Sequence, residues 1–205
     1  RHVRVVVFLV GNKSNRVNKS HRLIVVFEFE SAENRTLLPP PSGNLGQQHV
    51  GGGVGKEYAA DRAAALLERD GATSGIVNLG GDLRVLGPRP DGSAWSIGIQ
   101  HPRAPGRTIA SIRLARGALA TSGDYERFFE VDGKRYCHIL NPATGWPVQG
   151  WQSISVVAPL CVAAGAMSTI ALLHEDTAPA FLAGQQVAWL GVDRNGDVIR
   201  HGLPV

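Results

Sequence analysis

The apolar positions of this chain change period several times, and each change marks an element. Residues 56–70 place Ala59, Ala63, Leu66 and Leu67 at i, i+4, i+7 and i+8, the spacing of one helix face, and Gly71 follows where a helix would end. Residues 75–79 read as a strand broken by Gly80-Gly81-Asp82, and residues 83–86 and 95–100 as two more. Ile112 and Leu114 alternate with Ser111 and Arg113, the period of a half-buried strand. Two short runs, 128–131 and 134–137, flank Asp132-Gly133, a pair suited to a two-residue type I′ hairpin. Beyond them the pattern predicts a strand over 153–158, a helix over 162–173, and a strand pair, 189–192 with 198–199, across Asn195-Gly196. No fixed-period repeat is visible.

The first fifty residues carry less pattern. Residues 5–10 and 23–29 are apolar and strand-like, and Pro39-Pro40-Pro41-Ser42-Gly43 reads as a linker. The opening, basic then apolar, has the outline of a worn signal peptide without an initiating Met, a lipobox cysteine or a clear cleavage site, so a fragment or an altered amino terminus is expected. The division is therefore an atypical segment, 1–50, and a domain, 51–205.

Composition narrows the class. A chain of 205 residues, 43% hydrophobic and 19% charged, suits one domain with a core, and 25 glycines with 12 prolines make it rich in turns. The net charge of +4 points at first to nucleic acid. Yet residues 1–22 hold six basic residues and no acid, which leaves the remainder at −2. No basic stripe interleaved with aromatics remains there, so a nucleic-acid partner is not expected. Cys137 and Cys161 have neither CxxC nor zinc spacing and read as buried free thiols. The apolar runs are too short to span a bilayer.

One segment suggests chemistry directly. Gly51-Gly52-Gly53-Val54-Gly55-Lys56-Glu57-Tyr58 runs glycines into a helix start, where backbone amides and the helix dipole favour an anion. It is not a Walker loop, because Val50 and Glu57 stand where glycine and Ser/Thr are needed. It is not a dinucleotide fingerprint, because Lys56 replaces the third glycine and no apolar strand precedes it. A diphosphate site and a plain helix-capping loop both remain open at this point.

Four segments in order resemble the signatures of the ApbE family of flavin transferases: Gly52-Gly53-Val54-Gly55-Lys56-Glu57-Tyr58-Ala59-Ala60-Asp61-Arg62; Asn78-Leu79-Gly80-Gly81-Asp82; Ala120-Thr121-Ser122-Gly123-Asp124-Tyr125; and Cys137-His138-Ile139-Leu140-Asn141-Pro142-Ala143-Thr144-Gly145-Trp146-Pro147, similar to His-x-x-Asp-Pro-x-Thr-Gly-x-Pro. The resemblance implies an α+β, T-fold-like architecture of mixed sheets with packed helices, incomplete at the amino end. It implies FAD as substrate, Mg²⁺ as cofactor, and transfer of FMN to a Thr or Ser hydroxyl of a target flavoprotein with release of AMP. Flavin contact is expected at Gly52, Tyr58 and Leu140, though a tyrosine at position 58 would also suit a core face. His138 is the expected base for the acceptor hydroxyl, since imidazole titrates near neutrality.

The metal ligands implied are the Gly55 backbone and a helix motif resembling Ala-Asp-Ala-x-x-Thr, which falls on Gly165, Ser168 and Thr169. These positions share a helix face, but Gly165 stands where the family pattern has aspartate, which removes an anionic oxygen. Val50 and Asn141 likewise stand at positions where the family carries acids, and residues 1–50 show no counterpart of its methionine-centred FAD motif. Asp61 reads as an early-helix acid favourable to the dipole and Asp82 as a turn residue, both outside the catalytic set. The rivals are a flavin-binding pseudoenzyme, an FAD pyrophosphatase using water, and a thiol enzyme on Cys137-His138. In the last, strand neighbours point to opposite faces. By resemblance the location is periplasmic or at the outer face of the cytoplasmic membrane, with membrane association through a lipid anchor that this chain does not show.

Overall fold

The structure, a computed structural model, describes residues 2–10, 22–30 and 54–203, with side chains from residue 54 onward. Gly52 and the proline cluster lie outside the described residues. The main sheet draws on β1 (His2–Val10), β2 (Arg22–Glu30), β3 (Gly75–Leu79), β4 (Asp82–Gly87), β7 (Gly117–Gly123), β10 (Trp151–Ala158), β11 (Ala188–Asp193) and β12 (Val198–His201). Their order is β12-β11-β10-β7-β4-β3-β1-β2, with every pairing antiparallel. The apolar run at 5–10 lies in β1, with Val7 opposite Val77. Two hairpins stand apart: β5 (Trp95–Gln100) with β6 (Thr108–Leu114), and β8 (Phe128–Val131) with β9 (Lys134–Cys137). The second turns on Asp132 and Gly133, both at positive φ (50° and 74°), as a type I′ turn requires.

Helices cover one face of the sheet and the β5–β6 hairpin covers the other. Along β4, Leu83 and Val85 pack with Ile97, Ile99, Ile112 and Leu114 of that hairpin, while Leu86 packs with Ala60 and Ala64 of α1 (Gly55–Arg69). Strand alternation therefore aims Asp82 and Arg84 at the helices too. α2 (Cys161–Leu173) lies on β7 and β10 and against α1, and α3 (Ala178–Gly184) packs on α2. No described helix is long and apolar enough to cross a membrane.

Helix α1 ends as its sequence predicts. Asp70 caps it, Gly71 takes φ +92°, and the Ala72 amide bonds back to the Leu67 carbonyl. Its buried face is turned from the expected one: Ala60 and Ala64 are buried with Ala63 and Leu67 beside them, whereas Ala59 and Leu66 face out. The reason is compositional. Five alanines within seven positions make several faces equally apolar, and the smallest side chains let the helix settle closest to β3 and β4. α2 is apolar nearly all round, and Cys161, Ala164, Gly165, Ser168, Ala171 and Leu172 are its buried stripe.

Candidate functional site

Three of the four signature segments meet, with α2, through a closed ring of contacts. Gly80 and Gly81, at φ +61° and +97°, turn the chain so that Asp82 points to the helix layer, with the Asn78 amide oxygen accepting from the Gly81 N–H at 2.9 Å. Lys56, in the first turn of α1, places Nζ 2.6 Å from Asp82 Oδ2, and the side chain of Asp82 is 5% exposed. The Thr121 amide donates to Asp82 Oδ1 at 3.4 Å. One residue on, Ser122 Oγ sits 2.8 Å from both Ser168 Oγ and Thr169 Oγ1 of α2. The ring closes where Glu57 of α1 lies over Gly165 of α2.

The charges in this ring do not balance. Burial pushes the Asp82 carboxyl above its ordinary range, opposed chiefly by Lys56. Glu57 is also raised, first by loss of hydration, with Asp82 adding to the effect and Lys56 opposing it. Lys56 is bonded to Asp82, and among the described residues Glu57 has no ion-pair partner.

The hydroxyls form a directed chain. A carbonyl only accepts, so the 2.9 Å contact between Ser168 Oγ and the Gly165 carbonyl uses the Ser168 proton. Ser122 must then donate to Ser168, and Thr169 to Ser122. This order closes off Ser168, which is fully buried, and leaves Thr169 Oγ1 with lone pairs to offer. Of the expected metal set, Gly165 has no side-chain donor, and its carbonyl accepts from Ser168 Oγ.

Asp61 proves structural. Its two oxygens accept from the Cys161 and Val162 amides at 2.9 and 3.0 Å, the first turn of α2, and Arg84 Nε lies 3.3 Å away. Arg84 in turn donates to the Val85 and Gly117 carbonyls. The N-terminus of α2 is thus capped by a side chain from α1, one hundred residues upstream.

His138 follows β9 and reaches solvent. Its Nδ1 lies 3.2 Å from the Arg127 carbonyl, a contact that requires the proton on Nδ1 and leaves Nε2 as the basic nitrogen. Loss of hydration lowers its pKa below the ordinary value, the bond to the Arg127 carbonyl opposes this, and the Arg127 guanidinium lowers it further. Cys137, by contrast, is buried, with its thiol raised mainly by desolvation, so the adjacent pair faces opposite ways. Both cysteines are free and buried.

The loop after His138 is a built turn. Asn141 Oδ1 accepts from the Ala143 amide at 3.0 Å, and its carbonyl accepts from Thr144 and Gly145. Aspartate would fill that role equally, whereas the bond from Asn141 Nδ2 to Glu175 Oε1, at 3.4 Å, needs an amide. Leu140 is 54% exposed and bridges to Pro147, and Tyr58 is 59% exposed, which excludes the core reading of Tyr58. Neither Tyr58, Leu140 nor His138 makes a described contact with the ring. A separate cleft of about 150 Å³, lined by Arg103, Arg135 and Arg194, lies elsewhere, and each arginine is paired with an acid.

Sequence reasoning missed Glu57 and Ser122 as site residues. A first-turn glutamate is unremarkable on its own, and Ser122 was visible only as a member of a signature. Among the described residues no three His, Cys, Asp or Glu side chains converge as a metal site.

The sequence pattern of the ApbE family matches residues 46–190. The chain is 32% identical over 147 residues to the FAD:protein FMN transferase of Escherichia coli K12, covering 70% of this chain and 42% of that protein. It is 37% identical over 129 residues to the enzyme of the same name from Haemophilus influenzae, covering 61% and 37%. Among solved structures it is similar to the ApbE protein of Thermotoga maritima, with TM-score 0.68, 38% identity and coverage of 74% of this chain and 50% of that one. It is also similar to the flavinyl transferase ApbE of Pseudomonas stutzeri in its apo form, with TM-score 0.64, 29% identity and coverage of 74% and 48%. The chain spans about half the length of these relatives or less. It belongs to the ApbE family.

Proposed function

We propose that this chain is an FAD:protein FMN transferase, or the part of one that carries the transfer chemistry. The observation behind this reading is the closed ring from Lys56 through Asp82, Thr121, Ser122 and Thr169 to Gly165 and Glu57, which joins three signature segments and α2 across one face of the sheet. In the reaction, a Thr or Ser hydroxyl oxygen of the target flavoprotein attacks the FMN phosphorus of FAD. The bond to the bridging oxygen breaks, and its electron pair leaves with AMP. His138 Nε2 takes the hydroxyl proton, its Nδ1 proton fixed on the Arg127 carbonyl. The exposed faces of Tyr58 and Leu140 are open to the flavin, with Gly52 on the glycine run before α1.

The ring's oxygens suit a hard cation. Thr169 Oγ1 and the backbone of Gly55 would hold Mg²⁺, with Ser168 orienting Thr169 through Ser122. When bound, the ion would neutralise charge on the pyrophosphate and the departing AMP. By family resemblance the reaction belongs outside the cytoplasmic membrane.

The test is intact-mass analysis of a threonine-bearing acceptor domain after incubation with the chain, FAD and Mg²⁺. An FMN adduct that disappears with EDTA is expected. Free FMN without an adduct would instead assign a pyrophosphatase.

A further inference from the structure

Gly165 sits inside a packed helix, where glycine is about 1 kcal/mol less favourable than alanine. The space its side chain would need is already taken. A Cβ at position 165 would lie 2.7 Å from Cγ of Glu57, 2.8 Å from Oε1 and 3.1 Å from Cδ. Glu57 therefore reaches from α1 across the helix pair and lays its carboxylate on the bare backbone of α2. Thr169 is one helical turn further along the same face, with its Oγ1 lone pairs left free by the hydroxyl chain. Asp82, a second carboxylate in the ring, holds Lys56, the residue before Glu57, at 2.6 Å, so that lysine is committed to Asp82. Two acids against one base, beside an acceptor oxygen, leave one negative charge for a cation to neutralise.

We propose that Glu57, from α1, is the carboxylate ligand of a divalent-cation site completed by Thr169 Oγ1, replacing the acid that position 165 of α2 does not carry. The inference rests on the transferase reading for the identity of the ion as Mg²⁺. A site with one carboxylate and neutral oxygens retains waters on such an ion and leaves room for substrate phosphate oxygens. It also explains why a glycine is accommodated at 165: any side chain there has to displace the Glu57 carboxylate.

The test is Mn²⁺ titration of the chain without FAD, followed by loss of the free-ion electron paramagnetic resonance signal, with thermal melts confirming that each variant is folded. Wild type is expected to bind Mn²⁺, and Glu57→Gln, which keeps the shape and removes the charge, to weaken binding about tenfold or more. Gly165→Asp alone sets two carboxylates in one space and is expected not to strengthen binding, whereas the exchange Glu57→Gly with Gly165→Asp is expected to restore it. Binding that is unchanged in Glu57→Gln overturns the proposal, and so does a wild type that binds no Mn²⁺. Because no flavin is present, the two readings separate. Glu57-dependent Mn²⁺ binding without FMN transfer would remove the transferase and keep this site, while metal-dependent transfer unaffected by Glu57→Gln would do the reverse.

Discussion

In the proposed transfer, His138 would act through the difference between its two ring nitrogens. Nδ1 is held on the Arg127 carbonyl, and a pKa below the ordinary histidine value keeps Nε2 unprotonated at neutral pH. A base must be deprotonated to act, so the FMN-transfer rate should be full near pH 7 and fall as pH drops through a midpoint below about 6.5. His138→Ala should lower the rate roughly 10²- to 10⁴-fold and remove that limb, which a pH series of initial rates would show. A profile with an unchanged acid limb in the variant would move the base elsewhere. Asn141→Asp should preserve the turn at 141–145 but set a carboxylate against that of Glu175, which now accepts from the Asn141 amide. A loss of up to about 1 kcal/mol at pH 7 is expected, recovered as acid protonates the pair, and urea denaturation at the two pH values would measure it. At this scale the motifs in the sequence singled out His138 and Thr169 as candidates. Glu57 gave no such signal, because what marks it is its position over Gly165, more than a hundred positions away in the chain.

At the scale of elements, long-range caps and close approaches hold the site. Asp61 satisfies the first amides of α2 and neutralises Arg84, which is itself bonded to two carbonyls of the sheet. Asp61→Ala leaves a buried guanidinium unpaired and a helix end uncapped, and should cost about 3–5 kcal/mol in chemical denaturation. Gly123 ends β7 under Tyr125: a Cβ there would meet the tyrosine ring at 2.6 Å and the Gln152 carbonyl of β10 at 2.8 Å. Tyr125 is itself packed deeply enough that burial, with nearby acids, pushes its hydroxyl up to about 12. Gly123→Ala should therefore destabilise by roughly 1–3 kcal/mol, because one of the two contacts is backbone and cannot rotate away. Most elements were legible from periodicity, including α1, α2 and the β8–β9 hairpin. β7 was not, since Gly-Ala-Leu-Ala-Thr-Ser-Gly carries too little contrast between faces, and the seven-residue α3 is too short to show a period.

On the scale of the whole molecule, the sheet depends on what covers its edge at β3. The family match begins at residue 46, so β1 and β2 lie before it, yet β1 pairs with β3 from Val5 opposite Leu79 to Leu9 opposite Gly75. β3 carries Val77 and Leu79 in the core beneath α1, next to the Gly80-Gly81 turn that aims Asp82. A chain started at residue 46 would keep every described member of the ring from Lys56 to Thr169 but would expose the β3 backbone as a new sheet edge. An unpaired edge beside a buried apolar strand invites pairing with another copy. The shortened chain should self-associate with rising concentration in sedimentation velocity and melt at a lower temperature, while Glu57-dependent Mn²⁺ binding persists in the folded fraction. If it stays monomeric and melts as the full chain does, β1 and β2 contribute nothing to the sheet's stability. If it loses Mn²⁺ binding while remaining folded, the edge strands position the Gly80-Gly81 turn, and the site extends in effect to the amino-terminal strands.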